Sequence, residues 1–326
     1  MVPDTKNNSR YPGLPGPINP KGDIAVTEFE EQLRQTGAEY TREEPLALHS
    51  TFRIGGRADC AVFPKNEREL IAAIAAAKTN GVRYTVIGRG SNVLFSDEGY
   101  RGLVVFTSGL CEISVDGTTV RAGCGASLTQ VALAAAKHSL TGFEFAHGIP
   151  GSFGGAIYMN AGAYGGSISG VLTNSTCFDP ADGSVFTLSA EAHEFGNRKS
   201  AYMTNGCIVL GGELALAEGD PEAIFAHMEE LKEKRRASQP LEYPSAGSVF
   251  KRPEGYFAGK LIEDAGLKGT RVGGAMVSPK HAGFIVNVGG ATAKDVLALI
   301  EKIRETVERR FGVLLEPEVR WLPAGD

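Results

Sequence analysis

HGIPGSFGGAIYMNAGAYGG, from His147 to Gly166, is the stretch on which the reading of this chain turns. Eight glycines fall in the 23 residues from Gly148 to Gly170, too many for regular structure throughout. Gly148, Gly151, Gly154 and Gly155 allow a backbone to come within van der Waals distance of a flat or phosphorylated ligand. A mobile surface loop is the competing explanation, but Ile149, Phe153, Ile157 and Met159 would then face solvent to no purpose. A loop packed against a large cofactor accounts for both features.

Toward the N-terminus, Val82–Ile87 reads as a strand that runs straight into Gly88-Arg89-Gly90-Ser91-Asn92. Successive backbone N–H groups in such a loop form a concave nest suited to a phosphate or diphosphate. No Gly-Lys-Ser/Thr follows, so it is not a Walker loop. Val93 replaces the third glycine of a dinucleotide fingerprint and no helix pattern begins there. A plain tight turn explains this loop equally well on its own. Toward the C-terminus, Pro244-Ser-Ala-Gly-Ser-Val-Phe-Lys251 presents Ser248 at a turn, without the G-x-S-x-G elbow of a serine hydrolase. Between Lys251 and Lys280 six basic residues stand against three acidic ones. An anionic small-molecule substrate or a solvated charged face both fit that surplus.

The remaining pattern is α+β. A short helix is expected over Val26–Gln35, and another over Glu67–Lys78, ended by Asn80-Gly81. Further strands are expected at Leu103–Phe106 and Cys111–Val115. A capping box, Ser127 with Gln130, should start a helix through His138. Strands resume from Val171 to Leu216, a charged helix runs to Arg236, and the last helix spans Thr292–Phe311. Boundaries follow composition: a disordered tail over 1–23 with five prolines, then units over 24–85, 86–217 and 218–326.

Composition excludes several classes. A net charge of −5 leaves no global basic field for nucleic acid or an anionic membrane. No apolar run approaches the roughly 18 residues of a membrane span, and the N-terminus has no apolar signal region, so a cytoplasmic protein is expected. Five scattered cysteines make neither a disulfide framework nor a zinc site, and the six histidines show no ligand spacing, so no metal is expected.

HSTFRIGG (His49–Gly56), IGRGSNVLFSD (Ile87–Asp97), the His147–Gly166 segment, QPLEYPSAGSVFK (Gln239–Lys251), AGKLIEDAGLKG (Ala258–Gly269), KHAGFIVN (Lys280–Asn287) and LEPEVR (Leu315–Arg320) occur in this order. Together they closely resemble the UDP-N-acetylenolpyruvoylglucosamine reductase family, over about residues 45–322, and more nearly its shorter type II subclass. The resemblance implies a flavin-binding fold of the vanillyl-alcohol-oxidase (PCMH) type, divided over 24–85 and 86–217, followed by a substrate-binding domain over 218–326. It implies non-covalent FAD, held by Arg53, Ile54, Gly55, Gly56, Gly88, Arg89, Gly90, Ser91, Asn92, Gly148, Pro150, Gly151, Ser152, Gly154, Gly155, Asn160 and Ala163. NADPH and UDP-N-acetylglucosamine-enolpyruvate are the implied substrates of a monomeric enzyme. Arg198 matches the family's arginine that stabilises the intermediate, Ser248 its proton donor and Glu318 its glutamate; Arg235, Lys251 and Lys260 are implied substrate contacts. Asn197, Arg252 and Ser167 depart from the family pattern. Two alternatives remain: an oxidase of the same fold with flavin attached through His49, His147 or Cys124, and a sugar-nucleotide-binding protein without catalysis.

Overall fold

A computed structural model describes residues 24–325; the expected tail, 1–23, lies outside the described residues. The first sheet holds β1 (Glu39–Pro45), β2 (Arg57–Phe63), β3 (Tyr84–Ile87) and β4 (Tyr100–Phe106) in the order β1-β2-β4-β3. β2 and β3 both run parallel to β4, with helix α2 (Glu67–Thr79) crossing between them, and β1 closes the edge antiparallel. The α2 boundaries are written locally. Asn66 Oδ1 accepts from Glu69 N–H, Leu70, Ala73, Ile74 and Ala77 make one buried stripe, and Gly81 at φ +64° follows the C-cap. Helix α1 (Ile24–Gln35) packs on α2.

The second sheet is antiparallel, with β5 (Ile113–Asp116), β6 (Thr119–Gly123), β7 (Leu172–Phe178), β8 (Val185–Ser189) and β9 (Ile208–Ala215) in the order β8-β7-β9-β6-β5. Helices α3 (Leu128–Lys137) and α4 (Phe153–Met159) lie in the long excursion between β6 and β7. One apolar core joins the two sheets, from Phe29 and Leu33 through Val62, Leu103 and Val120 to Leu214. The helix that opens after the composition shift, α5 (Pro221–Ser238), buries Ile224 and Met228 in this same core. Its apolar residues therefore belong with the preceding sheet, and a separate core begins only at Ala246.

That second core lies between α6 (Ala258–Asp264), α7 (Ala293–Phe311) and a third sheet. The sheet holds β10 (Ser245–Ser248), β11 (Arg271–Val272), β12 (Ala275–Val277) and β13 (Phe284–Asn287) in the order β10-β13-β12-β11. Phe52, Ile54 and Leu94 from the N-terminal half enter it. Two further links join the halves. Arg320–Leu322 pairs in parallel with Val93–Phe95, and the Asp97 carboxylate accepts from Ala293 N–H at 2.7 Å and Lys294 N–H at 3.1 Å, capping α7 from outside.

Two local expectations need correction. Ser127 is the N-cap of α3 by backbone, but its side chain makes no capping bond; instead it pairs with Ser152 in an isolated bridge. The dense glycine segment also contains a helix, α4, which sequence density argued against. Ser152 Oγ accepts from Gly155 N–H at 3.2 Å to start it, and Asn160 at φ +43° ends it. Gly154 is needed there because a Cβ would stand 2.7 Å from Cys124 Cβ.

Candidate active site

The three segments expected to cradle a cofactor converge. Thr51 N–H donates to Gly90 O at 3.1 Å, and Thr51 Oγ1 donates to Ser245 O at 2.7 Å. One threonine thus ties the His49–Gly56 segment to the Gly88–Asn92 loop and to the strand bearing Ser248. Gly88 and Gly90 have no room for side chains: a Cβ would meet Ser152 Oγ at 2.0 Å and His49 O at 1.8 Å. Gly55 and Gly56 are excluded from carrying one by Phe95 and by the Asp97–Gly99 backbone. Arg53 is held at φ +55°, an uncommon conformation for a residue with a Cβ and costing of order 1 kcal/mol or more. Gly162–Ala163 and Gly166–Ser167 form a two-residue ladder whose tip, Tyr164-Gly165, has both φ angles positive.

Beside these loops lies a cleft of about 370 Å³ whose walls include Arg198, Ser248, Lys260, His281 and Glu318. Arg198 reaches it from the loop between β8 and β9. Its Nε donates to Glu318 Oε1 at 2.7 Å, and its Nη atoms point at Asn160 O and Gly162 O. Glu318 is placed by its backbone: its N–H donates to Val249 O at 2.7 Å, next to Ser248, and its carbonyl accepts from Asn92 Nδ2 at 3.1 Å. Burial raises the Glu318 carboxyl above its usual range, while Arg198 and Lys251 pull it back. Glu316, the other glutamate of the motif, instead pairs with Lys251 and is well exposed. Ser248 follows Gly247 at φ +75° and donates to Phe250 O at 3.2 Å.

The three expected substrate contacts separate. Lys260 lines the cleft and pairs with Asp264 at 2.7 Å. Lys251 is bonded to Glu316 and is not among the cleft residues. Arg235 stands apart from the cleft, against Gly148 and the Tyr164 ring. Asn92 and Asn160, expected at the cofactor, spend side-chain donors on Glu318 O and Gly196 O, and so join the cradle to the cleft. His281, Lys268 and Lys280 are cleft residues that the sequence did not single out, although both lysines belong to its basic surplus. Asn197 and Arg252 line both this cleft and a neighbouring one of about 450 Å³ under the Gly162–Ser167 ladder, and Ser167 lines the latter.

Arg235 also tests whether FAD fits. It is 9% exposed, makes no salt bridge among the described residues, and its Nε is buried without a hydrogen-bond partner. His147 Nδ1, at the next residue to Gly148, is likewise buried and unpartnered. A guanidinium buried without a carboxylate costs several kcal/mol unless an anion compensates it. A diphosphate-bearing cofactor in the glycine cradle supplies that anion, so the donor set fits FAD. Burial pushes the Cys124 thiol up to about 12, so it is not an activated thiolate.

A family profile described as UDP-N-acetylenolpyruvoylglucosamine reductase, C-terminal domain, matches residues 239–322, and one described as FAD binding domain matches residues 58–189. UDP-N-acetylenolpyruvoylglucosamine reductase 2 of Bacillus cereus is 50% identical over 279 residues, covering 86% of this chain and 91% of that one. The corresponding reductase of Limosilactobacillus fermentum is 50% identical over 295 residues, covering 90% and 96%. The crystal structure of UDP-N-acetylenolpyruvylglucosamine reductase from Thermus caldophilus superposes with a TM-score of 0.74 at 35% identity, over 88% of this chain and 99% of that one. A flavin-binding domain followed by the reductases' own C-terminal domain, with half of all residues shared along almost the whole length, places this chain in the UDP-N-acetylenolpyruvoylglucosamine reductase family.

Proposed function

We propose that the protein uses NADPH and non-covalent FAD to reduce the enolpyruvyl ether of UDP-N-acetylglucosamine to the lactyl ether, UDP-N-acetylmuramate. The observation that carries this reading is the Arg198–Glu318 pair sharing one cleft with Ser248, directly beside the glycine cradle. The cleft walls hold five cations, Arg198, Arg252, Lys260, Lys268 and Lys280, against Glu263 and Glu318. That surplus suits a substrate carrying a diphosphate and a carboxylate.

FAD, when bound by the Arg53–Gly56, Gly88–Asn92 and Gly148–Ala163 segments with Arg235 near its diphosphate, supplies hydride-transfer chemistry. Hydride arriving at C3 of the enolpyruvyl group drives negative charge onto the substrate carboxylate. Arg198 is fixed on three sides by Glu318, Asn160 O and Gly162 O, so its charge is already oriented when that anion develops. Ser248 then delivers a proton to C2. A hydroxyl is a weak acid, but a carbanion conjugated with a carboxylate is a strong enough base to take its proton. The Ser248 hydrogen is held only by the Phe250 carbonyl, and rotation about one bond releases it. Glu318, with its affinity for protons raised by burial, keeps Arg198 aimed and lines the same cleft as Ser248.

No helix among the described residues is long and apolar enough to cross a membrane. We assign the protein to the cytoplasm and as a monomer, the latter to be checked by light scattering. The reading is tested by anaerobic spectra of the FAD-loaded protein. NADPH should bleach the flavin band, and UDP-N-acetylglucosamine-enolpyruvate should restore it. Reoxidation by oxygen alone would point to an oxidase, and a protein that takes up no FAD would leave only a binding module.

A further inference from the structure

We propose that a buried hydrogen-bonded chain, Ser189–His193–Ser175–Tyr202, is the clasp that positions Arg198. It rests on the role given to Arg198 above. Arg198 lies in a loop that apolar packing holds only through the half-buried Phe195, since none of residues 194–199 is fully buried. Two of its residues, Glu194 and Arg198, have φ of +48° and +53°, conformations that persist only where the surroundings over-determine them. Fixing such a loop costs about 1–2 kcal/mol per residue in backbone entropy.

Buried groups stand at the two ends instead. His193 and Ser175 are fully buried and Tyr202 nearly so. His193 Nδ1 lies 2.6 Å from Ser189 O, and a carbonyl can only accept, so the ring proton is on Nδ1. Nε2 is then the acceptor for Ser175 Oγ–H at 2.7 Å, and Ser175 Oγ in turn accepts from Tyr202 O–H at 2.7 Å. Burial lowers the pKa of His193, consistent with the neutral ring this direction of donation requires. Phe195 stacks on the imidazole with ring centroids 4.8 Å apart. Ser175 sits on β7, next to the edge strand β8 of the second sheet, and it joins the residue that enters the loop to the residue that leaves it.

Every donor in the chain is used once, so deleting the central hydroxyl strands both neighbours. Inside the clasp the loop is narrowed by the reciprocal Gly196–Lys199 backbone bonds, by Asn160 Nδ2 on Gly196 O at 3.0 Å, and by Ser200 Oγ on Tyr158 O at 2.7 Å. Those contacts fix the tip against α4, and the clasp fixes the neck against the sheet. Neither His193, Ser175 nor Tyr202 lines either cleft, so they act on the reaction only through Arg198.

The test uses full-length, FAD-loaded protein carrying Ser175→Ala, Tyr202→Phe or, as a core control in the same sheet, Val120→Ala. Amide hydrogen exchange over residues 195–199 should rise about tenfold in the first two variants, with β6 and β9 within twofold of wild type. The control should show no such localised rise. In stopped flow, bleaching by NADPH should be unchanged, while reoxidation by the enolpyruvyl substrate slows about tenfold. Uniform exchange across the sheet, or a loop unchanged in a folded Tyr202→Phe variant, would overturn the proposal even if Ser175→Ala fails to fold. If the wild type itself shows no substrate-driven reoxidation, the functional reading fails, and the exchange data still decide whether the clasp holds the loop.

Discussion

At Gly90 in the cradle, an added Cβ would stand 1.8 Å from His49 O; at Gly247 beside the cleft, an added Cβ would meet nothing within 4 Å. Both glycines have positive φ, +61° and +75°, but only the first is also walled in. The cradle is a place where backbone crosses backbone, so an added side chain there collides with the main chain. The cleft is lined by long side chains, Arg198, Lys260, Lys268 and Glu318, which meet there from segments distant in sequence. Substitution in the cradle should therefore damage the fold, and substitution in the cleft should damage the chemistry alone.

The largest expected effect is at the cradle. Gly90→Ala should cost about 4 kcal/mol or more, because both the backbone conformation and the space are denied to it. Thermal melting of this variant near the wild-type temperature would break the comparison outright. Ser248→Ala should slow substrate-driven reoxidation by about a thousandfold, with NADPH bleaching and melting temperature almost unchanged. A melting temperature that fell with the rate would mean the cleft is structural as well.

A smaller effect tests how firmly the halves are joined. Asp97→Ala removes the acceptor of two α7 amides and should cost about 1–2 kcal/mol, lowering the melting temperature by roughly 2–4 °C, with no change in Ser248-dependent chemistry. The smallest effect is in pH dependence. Burial lowers the pKa of His147, His193 and His281, so the unfolded chain binds more protons than the native one as pH falls below about 6.5. Their contribution to stability is present above that pH and is lost on acidification through their folded values. Glu318, raised by burial, acts in the opposite sense: its contribution is full below about 4.5 and is lost as pH rises through its folded value. Three groups outweigh one, so urea midpoints should fall between pH 7.5 and 5.5, and replacing His193 by Gln should flatten that slope.

Much of this was legible in the residues. The stop signal of α2, the Thr292 start of α7 and the strand that feeds the Gly88–Asn92 loop all appear where spacing placed them. Of the two glutamates of the motif, Glu318 makes the more buried pair, with Arg198, while Glu316 makes an exposed one with Lys251. The α4 helix was not legible, because its propensity is poor and it forms only where Cys124 and Ser152 supply a close-packed bed. His193 and His281 read as ordinary structural histidines, since nothing near them in sequence reveals a partner.

Periodicity, caps and turns depend on atoms three or four residues apart, and for those the sequence alone determined the elements and the order of the motifs. The pairing of Arg198 with Glu318 spans 120 residues. The Asn92, Asp97 and Thr51 links between halves are equally non-local. Such contacts exist only after strand order and register have brought distant segments to one place. Tertiary structure therefore decided which glycines stand where backbone crosses backbone, as Gly90 does, and it alone brought the walls of the charged cleft together from segments distant in sequence.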